Sequence, residues 1–203
     1  KELNAIKNKM FSIISHDLKA PIHGLRSLFR NVEEKRMTIT ELKKSIPEIQ
    51  NDLNYIVGLM DNLLHWAKVQ MQKRSVYPQK VDINRSIYEV LQLLHLQAKA
   101  KQITIVDDTP PDVFSNVDKD MISLVLRNLI SNAIKFTPEK GTITIGVYEH
   151  HSFIEVYVKD TGAGITTEAL EKINNRNFYT TKGTASESGT GLGLMLCKEF
   201  LEC

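Results

Sequence analysis

Three polar side chains recur at helical spacing in the second half of the chain. Asn128, Asn132 and Lys135 stand at i, i+4 and i+7, so an α-helix would align them along one stripe. Amide oxygens suit a hydrated Mg²⁺, and a nearby lysine can neutralise the phosphates that such a cation bridges. The opposite side of this predicted helix is apolar: Leu126, Leu129, Ile130, Ala133 and Ile134. The pattern predicts a helix that packs on a sheet by one face and offers the other to a ligand.

Such a stripe is more often an ordinary solvated surface, so the hypothesis depends on motifs further along the chain. Asp160 closes a predicted strand and is followed by Gly162 and Gly164. A carboxylate at this position can accept a hydrogen bond from an exocyclic amine such as that of adenine. The glycines have no Cβ, which lets a ligand approach the backbone closely.

A second glycine cluster precedes the last predicted helix. Gly189, Gly191 and Gly193 alternate with other residues, and a helix that begins there would present free N–H groups to phosphates. The spacing is not the G-x-G-x-x-G dinucleotide fingerprint, and an isolated glycine repeat is a weak signal. Because the three clusters occur together, a nucleotide site is favoured over three unrelated surface features.

The first part of the chain has helical periodicity in two stretches, residues 3–32 and 42–67. His16 lies two residues from both Ile14 and Leu18, off the apolar stripe of the first stretch, so it is expected to face solvent; a bend is expected at Pro21. The second stretch has a heptad seam and is predicted to begin near Ile46, after a capping box formed by Ser45 and Glu48.

Two helices alone cannot bury both apolar stripes. The hairpin is therefore expected to pair with a copy of itself in a four-helix dimer, and the alternative is a hairpin that packs on the rest of its own chain. Residues 1–74 form this hairpin, residues 75–80 a linker and residues 81–203 a second domain of mixed helix and strand.

Within the second domain the predicted helices and strands follow from periodicity and turn residues. The predicted helices are 84–101, one from residue 119, 168–173 and 190–202, and the predicted strands are 103–107, 113–116, 142–148 and 153–159.

Composition excludes several classes of function. The 203 residues carry 26 Lys and Arg against 24 Asp and Glu, without a basic run, so no nucleic acid or direct membrane contact is expected. No apolar run reaches the roughly 18 residues of a membrane span, and no signal peptide is expected. We expect a cytoplasmic location. The sequence reads as a piece of a longer protein, which leaves open a parent anchored in the inner membrane.

Taken together, the motifs resemble those of the sensor histidine kinases of two-component systems. FSIISHDLKAP at 11–21 resembles their H box, NLISNAIKFT at 128–137 the N box, DTGAGI at 160–165 the G1 box and GTGLGL at 189–194 the G2 box. FYTTKG at 178–183 is similar to the F box and lid. The sequences at 63–67 and 196–200 resemble those of family members from Bacteroidetes.

The resemblance implies a dimerisation hairpin of the HisKA type followed by an α/β sandwich of the GHKL ATPase type, which lacks the family's last strands. It implies ATP and Mg²⁺ as ligands, with Asn132 on the metal. The implied ATP-binding residues are Asn128, Asn132, Lys135, Phe136, Asp160, Gly162, Gly164, Lys182, Gly189, Gly191 and Gly193.

The resemblance also implies the reaction. His16 would attack the γ-phosphorus of ATP, with Asp17 orienting the imidazole and taking its proton, and the phosphoryl group would pass to an aspartate of a response-regulator receiver. Ala20 stands where many relatives carry Thr or Asn, which implies weak phosphatase action. The alternatives are a GHKL-type ATPase without kinase activity and a nucleotide-binding dimeric scaffold. Neither gives a reason for His16 and Asp17 on a helical hairpin.

Overall fold

The structure is a computed structural model and describes residues 18–19, 21–34, 36–71, 77–174, 180–185, 187, 191 and 193–201. The chain divides into two compact units, Lys1–Ala67 and Lys68–Cys203, and each is described by itself. None of the helices in the described ranges is both long and apolar enough to cross a membrane.

The first unit is a helical hairpin. Helix α1 covers residues 21–33, and α2 covers Ile39–Met71. The two helices approach closely, because a Cβ built on Gly24 would lie 3.8 Å from Oδ2 of Asp52. Leu59, on α2, is fully buried.

Helix α2 begins seven residues before the predicted start, so the predicted capping box of Ser45 and Glu48 is wrong. Thr38 and Glu41 form the box instead: the Thr38 N–H donates to Oε2 of Glu41 at 2.8 Å, and the Glu41 N–H donates to Oγ1 of Thr38 at 3.3 Å. The Ser45 hydroxyl donates to the carbonyl oxygen of Glu41. Pro47 lies inside the helix, where its fixed φ is compatible with helical geometry.

Much of the apolar surface of the hairpin stays exposed in the single chain. Leu53 is 47% exposed and Met60 is 51% exposed, and they share one side of α2 in what we call the apolar stripe: Ile46, Leu53, Val57, Met60 and Leu64. Ile22 and Phe29, seven residues apart on α1, are exposed as well. The hairpin thus buries only part of its apolar surface within one chain.

The second unit combines helices with two small sheets. Its elements are β1 (Gln79–Asp82), α3 (Ile83–Ala100), β2 (Thr104–Asp108), β3 (Phe114–Val117), α4 (Lys119–Phe136), β4 (Thr142–Glu149), β5 (Ile154–Asp160), α5 (Thr167–Asn174) and α6 (Gly193–Leu201). β1 pairs with β3 antiparallel, with Gln79 opposite Val117. In the other sheet the order is β2-β4-β5; β2 and β4 run parallel, and β4 and β5 form an antiparallel hairpin.

The helices and strands predicted for this unit are confirmed apart from shifts at their ends, and β1 was not predicted. Only Val81 of its four residues is apolar and buried, so no alternating pattern distinguishes it from a connection. Asp82 and Asp118 cap α3 and α4: the Asp82 side chain accepts from one backbone N–H group of the first turn and that of Asp118 from two.

The core lies between α3, α4 and the three-stranded sheet. Buried positions on α3 recur every three or four residues, and those on β4 alternate, as their geometries require. The buried side chains include Ile83, Ile87, Val90, Leu94 and Ala98 of α3, Leu126, Ile130, Ala133 and Ile134 of α4, and Ile143, Ile145 and Val147 of β4. The apolar side of α4 is therefore fixed on the sheet, which leaves its polar stripe toward the glycine-containing loops.

Candidate functional site

Helix α4 presents the predicted polar stripe. Asn128, Asn132 and Lys135 are half-buried on the side of the helix opposite the core, because Gly193 lies against Asn128 and the Thr181 segment against Lys135. The Asn128 side chain donates from Nδ2 to the carbonyl oxygen of Leu124 at 3.1 Å, one turn earlier. Within the described part of the chain Asn132 makes no side-chain hydrogen bond, so both its amide oxygen and its NH₂ group are available to a ligand.

Lys135 contacts the loop that follows α5. Its Nζ donates to the carbonyl oxygen of Thr181 at 2.9 Å and lies 4.6 Å from the centre of the Phe136 ring. Burial lowers the pKa of Lys135, and the charge of Glu187 offsets part of that effect. A partly desolvated ammonium gains from a further anionic neighbour, so this position suits a phosphate.

The Asp160 loop packs against the end of the same helix. The Gly162 N–H donates to Oδ1 of Asp160 at 2.8 Å. A Cβ on Gly162 would lie 2.5 Å from the backbone oxygen of Phe136, so only glycine fits. Gly164 has φ +74°, in the left-handed region that favours glycine. The Asp160 side chain is exposed and can receive a hydrogen-bond donor from a ligand.

The start of α6 meets α4 near its middle. A Cβ on Gly193 would lie 2.6 Å from Oδ1 of Asn128, and Gly191 has φ +65°. Helix α6 is held there by Leu196, Cys197 and Phe200, which are buried. Burial raises the pKa of Cys197 to about 12, so its thiol is an inert part of the packing.

These contacts bring most of the described candidate residues around one helix. Asn128, Asn132, Lys135 and Phe136 come from α4, Asp160 from the end of β5, Gly162 from the loop that follows, and Gly193 from the start of α6. Lys182 is exposed in the loop beside Thr181, the residue whose carbonyl Lys135 binds. His16, Asp17, Ala20, Phe178, Tyr179 and Gly189 lie outside the described residues.

The donor set is compatible with a magnesium ion that is bound mainly by a ligand's oxygens. Among the described residues no group of three or more His, Cys, Asp or Glu side chains could hold a metal ion. Asn132 would supply one neutral oxygen to such an ion. Mg²⁺ in nucleotide sites commonly takes one or two protein ligands and completes its shell with phosphate oxygens and water, so the residues fit it.

Three residues beside the site belong to none of the sequence motifs: Lys101, Thr184 and Glu187. The Lys101 ammonium donates to the carbonyl oxygens of Ile134 and Lys135, at 2.7 and 3.0 Å. Lys101 is 8% exposed and follows a helix as one of several lysines, so periodicity gives no reason to single it out. The only available signal is its place between two apolar positions, Ala98 and Ile103, which are both buried.

Comparison with known proteins identifies the second unit by family. Residues 117–203 match the family described as histidine kinase-, DNA gyrase B-, and HSP90-like ATPase. That description implies ATP binding. Over 206 aligned residues, which include 99% of this chain, the sequence is 30% identical to the sensor protein KdpD of Clostridium acetobutylicum. The chain spans 23% of the length of that relative.

Solved structures give the same result for the fold. The catalytic domain of the histidine kinase ThkA is 32% identical over 62% of this chain and 80% of that one, with a TM-score of 0.54. ThkA in complex with the response regulator protein TrrA aligns with 90% of this chain and 53% of that one, at 27% identity and a TM-score of 0.73. A helical hairpin and an ATPase-type domain therefore occur together in a known protein, ThkA.

The close approach at Gly162 gives a direct test of this geometry. Replacing Gly162 with Ala should destabilise the chain by about 1–3 kcal/mol, because the new methyl group meets the Phe136 carbonyl, which belongs to a helix end and cannot move aside cheaply. The matched control is Gly58→Ala on α2, where a Cβ finds no described atom within 4 Å. That variant should be unchanged or slightly more stable. Urea unfolding followed by circular dichroism measures both; equal stability of the two variants would contradict the packing.

Proposed function

Because the chain belongs to the histidine kinase family, we propose that it phosphorylates itself on His16 with ATP and passes the phosphoryl group to an aspartate of a response-regulator receiver. The observation that carries the proposal is the convergence on α4. Gly162 approaches the Phe136 carbonyl and Gly193 approaches the Asn128 side chain, so motifs from three separate parts of the sequence surround one polar stripe.

In the proposed site the adenine lies at the Asp160 end. The exposed carboxylate of Asp160 accepts from the exocyclic amine, and the backbone at Gly162 and Gly164 forms the wall beside the base. A hydrogen bond to a charged acceptor contributes about 1.5–3 kcal/mol, which is enough to distinguish adenine from a base that lacks the amine.

The proposed phosphate end lies along α4. Lys135 and Asn128 reach the phosphates, Phe136 adjoins them, and Lys182 meets the γ-phosphate. The glycine cluster at 189, 191 and 193 lines the phosphate side of the lid with backbone N–H groups. Asn132 would bind Mg²⁺ through its amide oxygen, and the ion when bound would neutralise charge on the phosphate oxygens.

The proposed chemistry needs only a nucleophile in line with the bond that breaks. An imidazole nitrogen of His16 attacks the γ-phosphorus, the bond to the bridging oxygen breaks, and ADP leaves. Asp17 orients the ring and takes its proton. The rest of the protein contributes mainly position and charge neutralisation.

We assign these tasks to two domains joined by a linker. Residues 1–74 form the dimerisation and phosphotransfer hairpin, 75–80 the linker, whose last two residues already belong to β1, and 81–203 the ATP-binding domain. The apolar stripe of α2 and the exposed apolar residues of α1 support pairing of the hairpin with a second copy, because exposed apolar surface of this kind marks an interaction site. ThkA has been solved with a response regulator protein, which supports a receiver as the partner. We place the activity in the cytoplasm, where ATP is supplied.

A phosphorylation assay separates the two sites. With ATP labelled on the γ-phosphate, His16→Ala should abolish labelling and leave ATP affinity within about twofold, because the acceptor is not in the nucleotide site. Asn132→Ala and Asp160→Asn should weaken ATP binding about tenfold or more, because each loses an interaction with a charged or polar ligand group.

The matched control for the acceptor is His23→Ala. His23 is exposed on α1, seven residues after His16 in sequence. Because the proposal gives it no role, its loss should leave labelling intact. Labelling that persists in His16→Ala but disappears in His23→Ala would move the acceptor to His23. Undiminished ATP affinity in both Asn132→Ala and Asp160→Asn would remove the nucleotide from the proposed site.

The proposed dimer is tested on the apolar stripe. Leu53→Glu would bury a carboxylate on each side of the interface, which costs several kcal/mol, so light scattering should report a monomer. The matched control is Asn51→Glu, which adds the same charge to an exposed position on another side of α2 and should remain dimeric. If Leu53→Glu stays fully dimeric, the interface lies elsewhere.

A further inference from the structure

Lys101 is buried at the end of α3 and makes four polar contacts. Lysines are rarely buried unless they are paired. Besides the two carbonyl oxygens of α4, its Nζ lies 2.6 Å from Oγ1 of Thr184 and 3.0 Å from Oε1 of Glu187. The contacts thus join three segments that are distant in sequence: the end of α3, the end of α4 and the loop after α5.

The two carbonyl groups belong to Ile134 and Lys135, in the last turn of α4. Carbonyls in the last turn of a helix lack partners within the helix, and the negative end of the helix dipole favours a cation there. Lys135 is also the residue whose side chain binds the Thr181 carbonyl. Lys101 therefore holds the backbone of a residue proposed to bind phosphate.

The loop contacts form a compact turn against the same helix end. Gly183 donates to the Glu187 carbonyl at 2.9 Å, and Ala185 donates to the Glu187 carboxylate at 2.8 Å. Thr184 binds α4 through its backbone N–H, 3.0 Å from the Lys135 oxygen, and through its hydroxyl, 2.9 Å from the Thr137 oxygen. The turn and the last residues of α4 form one hydrogen-bonded cluster with Lys101 at its centre.

The positive charges in the cluster outnumber the negative ones. Glu187 bonds to Lys101 and also acts on Lys135, so one carboxylate faces two ammonium groups. Partial burial raises the pKa of Glu187, but hydrogen bonds from backbone N–H groups and from Lys101 outweigh it, so the pKa lies below its usual range. The carboxylate is therefore charged at neutral pH, and the cluster keeps a net positive charge beside the proposed phosphate site.

We propose that Lys101 is a positioning residue for phosphate binding: it fastens the turn at Thr184 and Glu187 to the end of α4 and thereby fixes Lys135 for the phosphates of ATP. This inference rests on the proposed nucleotide site. It differs from a purely structural role in one measurable respect. A lysine that only stabilised the fold would affect binding of the whole nucleotide, whereas a positioning role concerns the phosphates and spares the adenosine part.

The test compares ATP with adenosine, using calorimetry on the full 203-residue chain in the presence of Mg²⁺. Lys101→Met keeps the aliphatic stem and removes the ammonium. Its affinity for ATP should fall about tenfold, and its affinity for adenosine should change less than about twofold. The matched control is Lys99→Met, which removes an equal charge from an exposed position two residues earlier and should leave both affinities unchanged.

Thr184→Val provides a second variant that alters no charge and keeps the side-chain shape. It removes the oxygen that accepts from Lys101 and the hydroxyl that donates to Thr137. Its affinity for ATP should fall about threefold to tenfold, with adenosine unaffected. If Lys101→Met fails to fold, this variant still tests the positioning role of Lys101.

Either of two results would overturn the inference: equal weakening of ATP and adenosine in Lys101→Met, or unchanged ATP binding in Thr184→Val. Adenosine also separates this failure from failure of the proposed function. If the unmodified chain binds neither ATP nor adenosine, the nucleotide site itself is refuted, and the role of Lys101 with it.

Discussion

Helix α4 has to bury an apolar side against the sheet and present a polar side to the loops, and the rest of the second unit depends on that constraint. One side buries Leu126, Ile130 and Ile134 against the sheet, which fixes the rotation of the helix about its axis. Once that rotation is set, 3.6-residue periodicity brings Asn128, Asn132 and Lys135 to the opposite side in a single line. Burial of apolar area thus determines where the polar groups point.

Close packing at two glycines then brings the loops to this line. The Asp160 loop reaches the helix end because Gly162 has no side chain, and the start of α6 reaches Asn128 because Gly193 has none. Interiors tolerate few voids and little overlap, so these contacts hold the loops within narrow limits. The helix and two loops thus bring polar groups together without a cluster of acidic metal ligands among the described residues.

Local patterns predicted the elements that have strong periodicity, including α3, α4 and the β4–β5 hairpin. They failed where the sequence pattern of an element is weak, or where the stabilising contacts join residues that are far apart in sequence. β1 has one buried apolar residue, and the cap of α2 comes from Thr38 and Glu41 although Ser45 and Glu48 have a similar spacing. The contacts of Lys101 join residues up to 86 positions apart, and no local pattern records them. The roles of the individual site residues stay predictions.

Transfer of the γ-phosphoryl group of ATP to a histidine of this chain can be tested by the chemical stability of the labelled protein. After incubation with γ-labelled ATP, the denatured chain is divided between acid and alkali. A phosphohistidine has a phosphorus–nitrogen bond, so we expect a label that is lost in acid and kept in alkali. A label that survives acid, as on serine or threonine, or no label on a chain that binds ATP, would contradict it.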